Sequence, residues 1–391
     1  MATLSLPTAT PIDAAPARAR IATDVWHTYA VALAAAGVMI GVYWDISWHM
    51  SIGRDSFWTP AHLLIQASGL VAGLSSGYVA IKTTFWGSAA ERSASVGFWG
   101  FRAPLGAWVC VWGCIAMLAS APFDNWWHNA YGLDVKIVSP PHTILALGIF
   151  AIVLGALLLT LAKQNRSAAS ERPRYAVLYV IAGGLMVMNF GIFLTEFSLR
   201  WQQHGAEFYR LAALAYPFAL VAIARGSTLR WPATAAAAVY MIVMLALMWI
   251  LQLVPATPKL GPIYQPITHL VTLAFPVWLV GPGIAIDILR HRARRLPDSA
   301  LAIALGAAFL ATFVAVQWPF ARFLVDDAAA RNWFFNADNW VYFASPGYVL
   351  RARHFAQPTA DAGAFAVALV YAIGSAWLGL AWGRWMSRVQ R

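Results

Sequence analysis

Apolar residues run along this chain in stretches of about 20, divided by short polar intervals, and segments such as ALAIALGAAFLATFVAV show no strand-like alternation. At 1.5 Å per helical residue such a stretch crosses the roughly 30 Å of hydrocarbon in a bilayer. The pattern predicts an all-α polytopic integral membrane protein with ten transmembrane helices, near 27–49, 61–83, 104–123, 141–163, 175–197, 207–225, 232–253, 267–289, 299–319 and 362–383. An outer-membrane barrel does not fit, because its strands alternate over about ten residues each. Residues 1–25, rich in Ala, Pro and Thr, read as a disordered cytoplasmic tail. Residues 26–165 read as a four-helix membrane unit. Residues 166–391 read as a six-helix unit with a long outer loop at 320–361, whose RNWFFNADNW aromatics would sit at the membrane interface.

Composition agrees with this reading: 60% of the 391 residues are hydrophobic, 11% are charged, and the mean hydropathy is +0.62. Charge then sets an orientation. Arg18, Arg20, Arg92, Arg102, Arg172, Arg174, the RHRARR run at 290–295 and Arg384, Arg388 and Arg391 all fall on one side of the alternating spans. The positive-inside rule makes that side, with both termini, cytoplasmic in a multi-pass protein of the cell's inner (plasma) membrane. The net charge of +11 therefore reflects topology and anionic lipid, and gives no argument for nucleic acid. Cys110 and Cys114 stand four apart in one predicted helix, a poor disulfide geometry, and read as small buried apolar residues.

Polar chemistry gathers at the other side. Of the nine His, all but His27 and His291 fall at outer helix ends or in outer loops: His49, His62, His128, His142, His204, His269 and His354. Four of them belong to an internal repeat. DISWHMSIGRDSFWTPAH (45–62) and DNWWHNAYGLDVKIVSPPH (124–142) both read Asp, three residues, His, three residues, Gly, one residue, Asp, then Thr or Ser, Pro, one residue, His. Asp and His at i and i+4 share one face of the outgoing helix. Thr59 or Ser139 as N-cap, with Pro60 or Pro140 after it, starts the returning helix and puts His62 or His142 in its first turn. Each hairpin thus converges a carboxylate and two imidazoles: Asp45, His49 and His62 in the first, Asp124, His128 and His142 in the second. That ligand set suits copper, zinc or ferrous iron and does not choose among them. Water-binding caps are the competing reading. Asp55 and Asp134 are candidates to orient the imidazoles, or to pair with Arg54 and Lys136.

Beyond the repeat, Glu196, Arg200 and His204 are spaced by single helical turns, and His269 follows Pro266 at the start of the eighth predicted helix. Completing a pocket, binding a quinone head group and capping helices are all open to Glu196, His204 and His269. Glu196 is the costliest of these if left unhydrated.

The first hairpin resembles the C subunit of the copper membrane monooxygenases, the particulate methane and ammonia monooxygenase family. The shared pattern is carried here by Asp45, Trp48, His49, Arg54, Asp55, Thr59, Pro60 and His62. The resemblance implies that Asp45, His49 and His62 bind copper, with Trp48, Arg54 and Asp55 around them. The family's second site runs Asn, three residues, His, thirteen residues, His; Asp124, His128 and His142 keep that spacing, with Asp in place of Asn. The resemblance covers residues 40–150, and it implies partner membrane subunits; a small apolar substrate that partitions into the bilayer, or a quinol, is open as a further partner. The expected function is a copper-binding, monooxygenase-like membrane oxidoreductase. The alternatives are copper or zinc transport or delivery, which requires a polar path where the spans offer little beyond Asp287, and a non-catalytic membrane scaffold.

Overall fold

The computed structural model describes residues 25–53, 58–132, 139–293 and 295–391. The expected tail and the predicted roles of Arg54, Asp55 and Asp134 fall outside these residues. The helices are α1 (Val25–Ser51), α2 (Pro60–Phe85), a short α3 (Ala89–Ser93), α4 (Leu105–Tyr131), α5 (Pro140–Arg166), α6 (Arg172–Leu194), α7 (Ala206–Gly226), α8 (Pro232–Leu251), α9 (Val280–Arg292), α10 (Asp298–Asp326), a short α11 (Pro346–Arg351) and α12 (Ala362–Met386). A small antiparallel hairpin, β1 (Val96–Phe98) and β2 (Phe101–Ala103), joins α3 to α4. Among the described residues nine helices are long and apolar enough to cross a membrane, the make-up of a multi-pass membrane protein.

Neighbouring helices pair as hairpins, α1 with α2 and α4 with α5, while α7 packs along α12 and α6 against α5 and α8. In lipid there is little hydrophobic drive between helices, so close backbone approach through small residues sets the packing. The α4–α5 seam shows it: a Cβ on Gly106 would stand 2.5 Å from the Gly155 carbonyl, and one on Gly113 would stand 2.9 Å from that of Gly148. Cys110 and Cys114 are buried and unbridged, as their spacing suggested. The bundle thus has an acid–histidine end, where α1 meets α2 and α4 meets α5, and an arginine-rich end opposite.

The expected eighth span, 267–289, is corrected. Only Val280–Arg292 is helical, and residues 270–279 form no regular secondary structure. Pro276 supplies the physical reason: it has no N–H to donate and disfavours helical φ/ψ at Phe275, while Pro282 is tolerated in the first turn of α9. Non-helical backbone inside a membrane protein must find partners within the protein. Here side chains supply them. Val271 N–H donates to Ser51 Oγ (2.7 Å) and Ser47 Oγ donates to the Val271 carbonyl (2.7 Å). Asn336 Nδ2 donates to the Leu273 carbonyl (3.1 Å), and Trp278 N–H donates to Gln317 Oε1 (2.8 Å). Beside this strand-like segment lies a cavity of about 50 Å³ that includes Tyr43, Tyr216 and Tyr240 in its walls. Two further boundaries shift. α10 runs on to Asp326, so the long loop begins there rather than at 320. The fifth span stops as an α-helix at Leu194 and continues in 3-10 turns.

Candidate metal centres

α1 carries Asp45 and His49 one turn apart, then ends at Ser51, and Gly53 turns the chain with φ +82°. Thr59 is extended (φ −69°, ψ 150°) and its hydroxyl accepts the His62 N–H at 3.2 Å, with Pro60 opening α2. This cap places the His62 ring opposite α1. His49 Nε2 comes to 3.6 Å from Asp45 Oδ2, and His62 Nε2 to 3.1 Å from Asp45 Oδ1. Asp45 Oδ1 is buried and receives no hydrogen bond despite that proximity.

The second hairpin repeats the construction down to the backbone. Gly132 has φ +83° and its N–H donates to the His128 carbonyl (3.0 Å); Ser139 Oγ accepts the His142 N–H (3.4 Å), and Pro140 opens α5. His128 Nε2 lies 3.0 Å and His142 Nε2 3.5 Å from the same carboxylate oxygen, Asp124 Oδ1. His128 Nδ1 is 3.0 Å from the Gly132 carbonyl, and a proton held there leaves Nε2 as the lone-pair nitrogen facing Asp124.

These distances fit a shared ion. Two ligands each about 2.0–2.1 Å from one tetrahedral metal stand about 3.3 Å apart, and the carboxylate–imidazole separations in both clusters straddle that value. Within each trio one ligand atom per residue lies within 4.8 Å of the others. Each set offers one negative charge and two neutral nitrogens, leaving coordination positions open, so both Asp/His/His groups could hold a metal ion whose identity the donors leave undetermined.

The remaining predicted residues lie elsewhere. Trp48 packs with Trp44 against the apolar cluster of Ile52, Leu251, Ala256 and Leu270. Glu196, Arg200 and His204 do not form the single helical face expected, because the 3-10 turns rotate them apart. Glu196 is exposed. Arg200 is buried with its guanidinium 4.3 Å from the Trp340 ring centre. His204 is stacked between Trp318 and Phe355, its Nε2 2.9 Å from the Trp318 carbonyl; burial holds its pKa below the ordinary histidine value. His269 Nδ1 is bonded to the neighbouring Thr268 hydroxyl at 2.9 Å, in an isolated bridge to Pro255 rather than at a helix start.

Sequence reasoning missed Ser47 and Ser51. They lie about 200° around α1 from Asp45 and His49 respectively, so one helix holds a candidate ion on one side and the Val271 backbone on the other. Their i, i+4 spacing in an apolar helix was the available signal. Compared with known protein families, curated proteins and solved structures, the chain matches none.

Proposed function

We propose that this protein is a copper-binding, monooxygenase-like membrane oxidoreductase of the copper membrane monooxygenase kind, with its two centres at the periplasmic ends of the α1–α2 and α4–α5 hairpins. The observation that carries the reading is the duplicated Asp/His/His convergence, with carboxylate–imidazole distances of 3.1 and 3.6 Å in one copy and 3.0 and 3.5 Å in the other. Caps that bind water alone need no such focus. The in-register match of the first hairpin to the family pattern favours copper over zinc or iron.

Bound copper would supply redox chemistry toward dioxygen. The chain's own residues bind and orient. Asp45 and Asp124 each offset one positive charge. The Gly132 carbonyl fixes the His128 tautomer, and the Thr59 and Ser139 caps fix where His62 and His142 stand. A small apolar substrate would reach these centres from the bilayer, and the overall conversion R–H + O2 + quinol → R–OH + H2O + quinone balances with quinol as the two-electron donor. Partner membrane subunits belong to this reading.

A metal-capture or delivery role is the second reading, and the 42% and 36% side-chain exposure of His49 and His142 favours it. Against transport across the bilayer stands Asp287, the main charge expected within the spans. Its carboxylate accepts from Thr234 Oγ1 (2.8 Å), Thr234 N–H (2.9 Å) and Ala233 N–H (3.3 Å), which commits it to tying α9 to the start of α8. The test is elemental analysis of the full chain purified in lipid, with His49→Ala and His128→Ala beside it. About one copper lost per substitution supports two centres, and a parent protein without metal overturns both readings. Oxygen uptake dependent on quinol and a small alkane or ammonia then separates enzyme from carrier.

A further inference from the structure

A second polar focus lies at the arginine-rich end, where the first turn of α1 and the last turns of α2 and α5 meet above α3. A cavity of about 30 Å³ there is bounded by His27, Thr28, Lys82, Glu91, Lys163 and Arg166. That is room for about two water molecules, or for two oxygens of a larger group that reaches in from outside.

Three cations face one carboxylate across this cavity, and that carboxylate already accepts the Ser88 N–H at 2.7 Å in the α3 capping box. Two donors at this cavity are unsatisfied. Arg166 uses Nε on the Ala162 carbonyl of its own helix (3.3 Å), while its Nη1 is buried with no acceptor. Thr28 is 1% exposed, and its Oγ1 is buried with no partner. Buried donors without acceptors cost free energy unless something not of the chain accepts from them. A basic interhelical pocket at a membrane surface, lined by the start of a helix whose dipole favours anions, selects negative charge.

We propose that this pocket binds a phosphate group, with Arg166, Lys163, Lys82 and Thr28 as its donors. Its position at a helix-bundle end lets the group arrive as an anionic lipid headgroup or as a free phosphate, and the proposal stands independently of the metal centres.

The full chain, delipidated in a neutral detergent, is titrated with phosphatidylglycerol, phosphatidylcholine and inorganic phosphate while binding and thermal unfolding are followed. Phosphatidylglycerol is expected to bind and raise the melting temperature where phosphatidylcholine does not, and inorganic phosphate to compete with it. Lys163→Gln/Arg166→Gln should weaken that binding about tenfold or more, the scale of losing one charge-assisted hydrogen bond or two. Lys82→Gln, a single change at a helix end, gives the same test should the double variant fail to fold. Arg388→Gln, exposed at the same end and outside the cavity, should leave binding unchanged. Competition by phosphate marks a site for the group itself, and binding of the lipid alone marks a headgroup site. No binding of either probe, or equal weakening by Arg388→Gln, overturns the proposal.

Discussion

The two Asp/His/His hairpins share one sequence pattern and differ in what stands behind them. The first is walled by the second half of the chain. The Ile52 carbonyl accepts Lys259 N–H at 2.9 Å, Ser47 and Ser51 grip Val271, and Gly53 lies so near Leu260 and the Tyr342 hydroxyl that a Cβ would meet both at 2.9 Å. At the second hairpin, Gly132 has nothing within 4 Å of its would-be Cβ, and Trp126 and Tyr131 are 54% and 67% exposed. The carboxylates are used differently too. Asp45 addresses His49 with one oxygen and His62 with the other, whereas Asp124 addresses both histidines with Oδ1. Equal ligand sets therefore do not make equal sites: the first is positioned from outside its hairpin, the second from within.

The largest effects come from deleting a ligand. His62→Ala and His142→Ala should each remove one bound ion, with affinity at the altered site falling at least 100-fold and the other site unchanged, as measured by titration of the metal-free protein. Loss of both ions on one substitution would merge the two centres into one. A subtler change divides them. Asp45→Asn replaces one of two working oxygens by an NH2 that cannot ligate, so site one should lose most of its affinity. Asp124→Asn can turn its remaining carbonyl oxygen toward both imidazoles and should keep affinity within about tenfold, the scale of weakening one charge-assisted contact. Equal losses in the two variants would dissolve the distinction between the carboxylates.

Next in size is the support behind site one. Ser51 Oγ accepts the Val271 N–H and donates to the Ser47 carbonyl at 2.6 Å. Ser51→Ala orphans a buried backbone donor, which costs about 1–3 kcal/mol of stability. Metal affinity at site one should fall with it, and site two should be indifferent. An unaltered site one would show that the wall does not position the ligands.

How far these features were legible depends on the range of the interactions that make them. Caps and the Asp and His pair of each outgoing helix follow from neighbours three or four residues apart, so Thr59, Ser139 and the six clustered side chains could be read from spacing. The unwinding of 270–279 was not legible from hydropathy, which weighs side chains and takes no account of the backbone. What decides is whether partners exist for its N–H and C=O groups, and those partners are Ser47, Ser51, Gln317 and Asn336, remote in the chain. Pro276 was the local warning. His204 and Arg200 were misplaced for a related reason: a turn-by-turn spacing assumes an α-helix that ends at Leu194.

The smallest effect is the sharpest test of support from outside against support from within. Thr59→Ala and Ser139→Ala each delete an N-cap, at a cost of about 1 kcal/mol in stability. At site one the α1 end, which carries Asp45 and His49, remains clamped by the Lys259 and Val271 hydrogen bonds, so two of the three groups hold their places and affinity is expected to change by less than about twofold. At site two Gly132, at the end of α4, has nothing within 4 Å of its would-be Cβ, so the Ser139 cap is a larger share of what seats the trio and affinity should fall severalfold. Isothermal titration of the two variants, each with the other site removed by a histidine substitution, reads the ratio directly. A Thr59→Ala loss as large as that of Ser139→Ala would mean that both histidines are held by their own hairpins alone, and that the second half of the chain covers site one without positioning it.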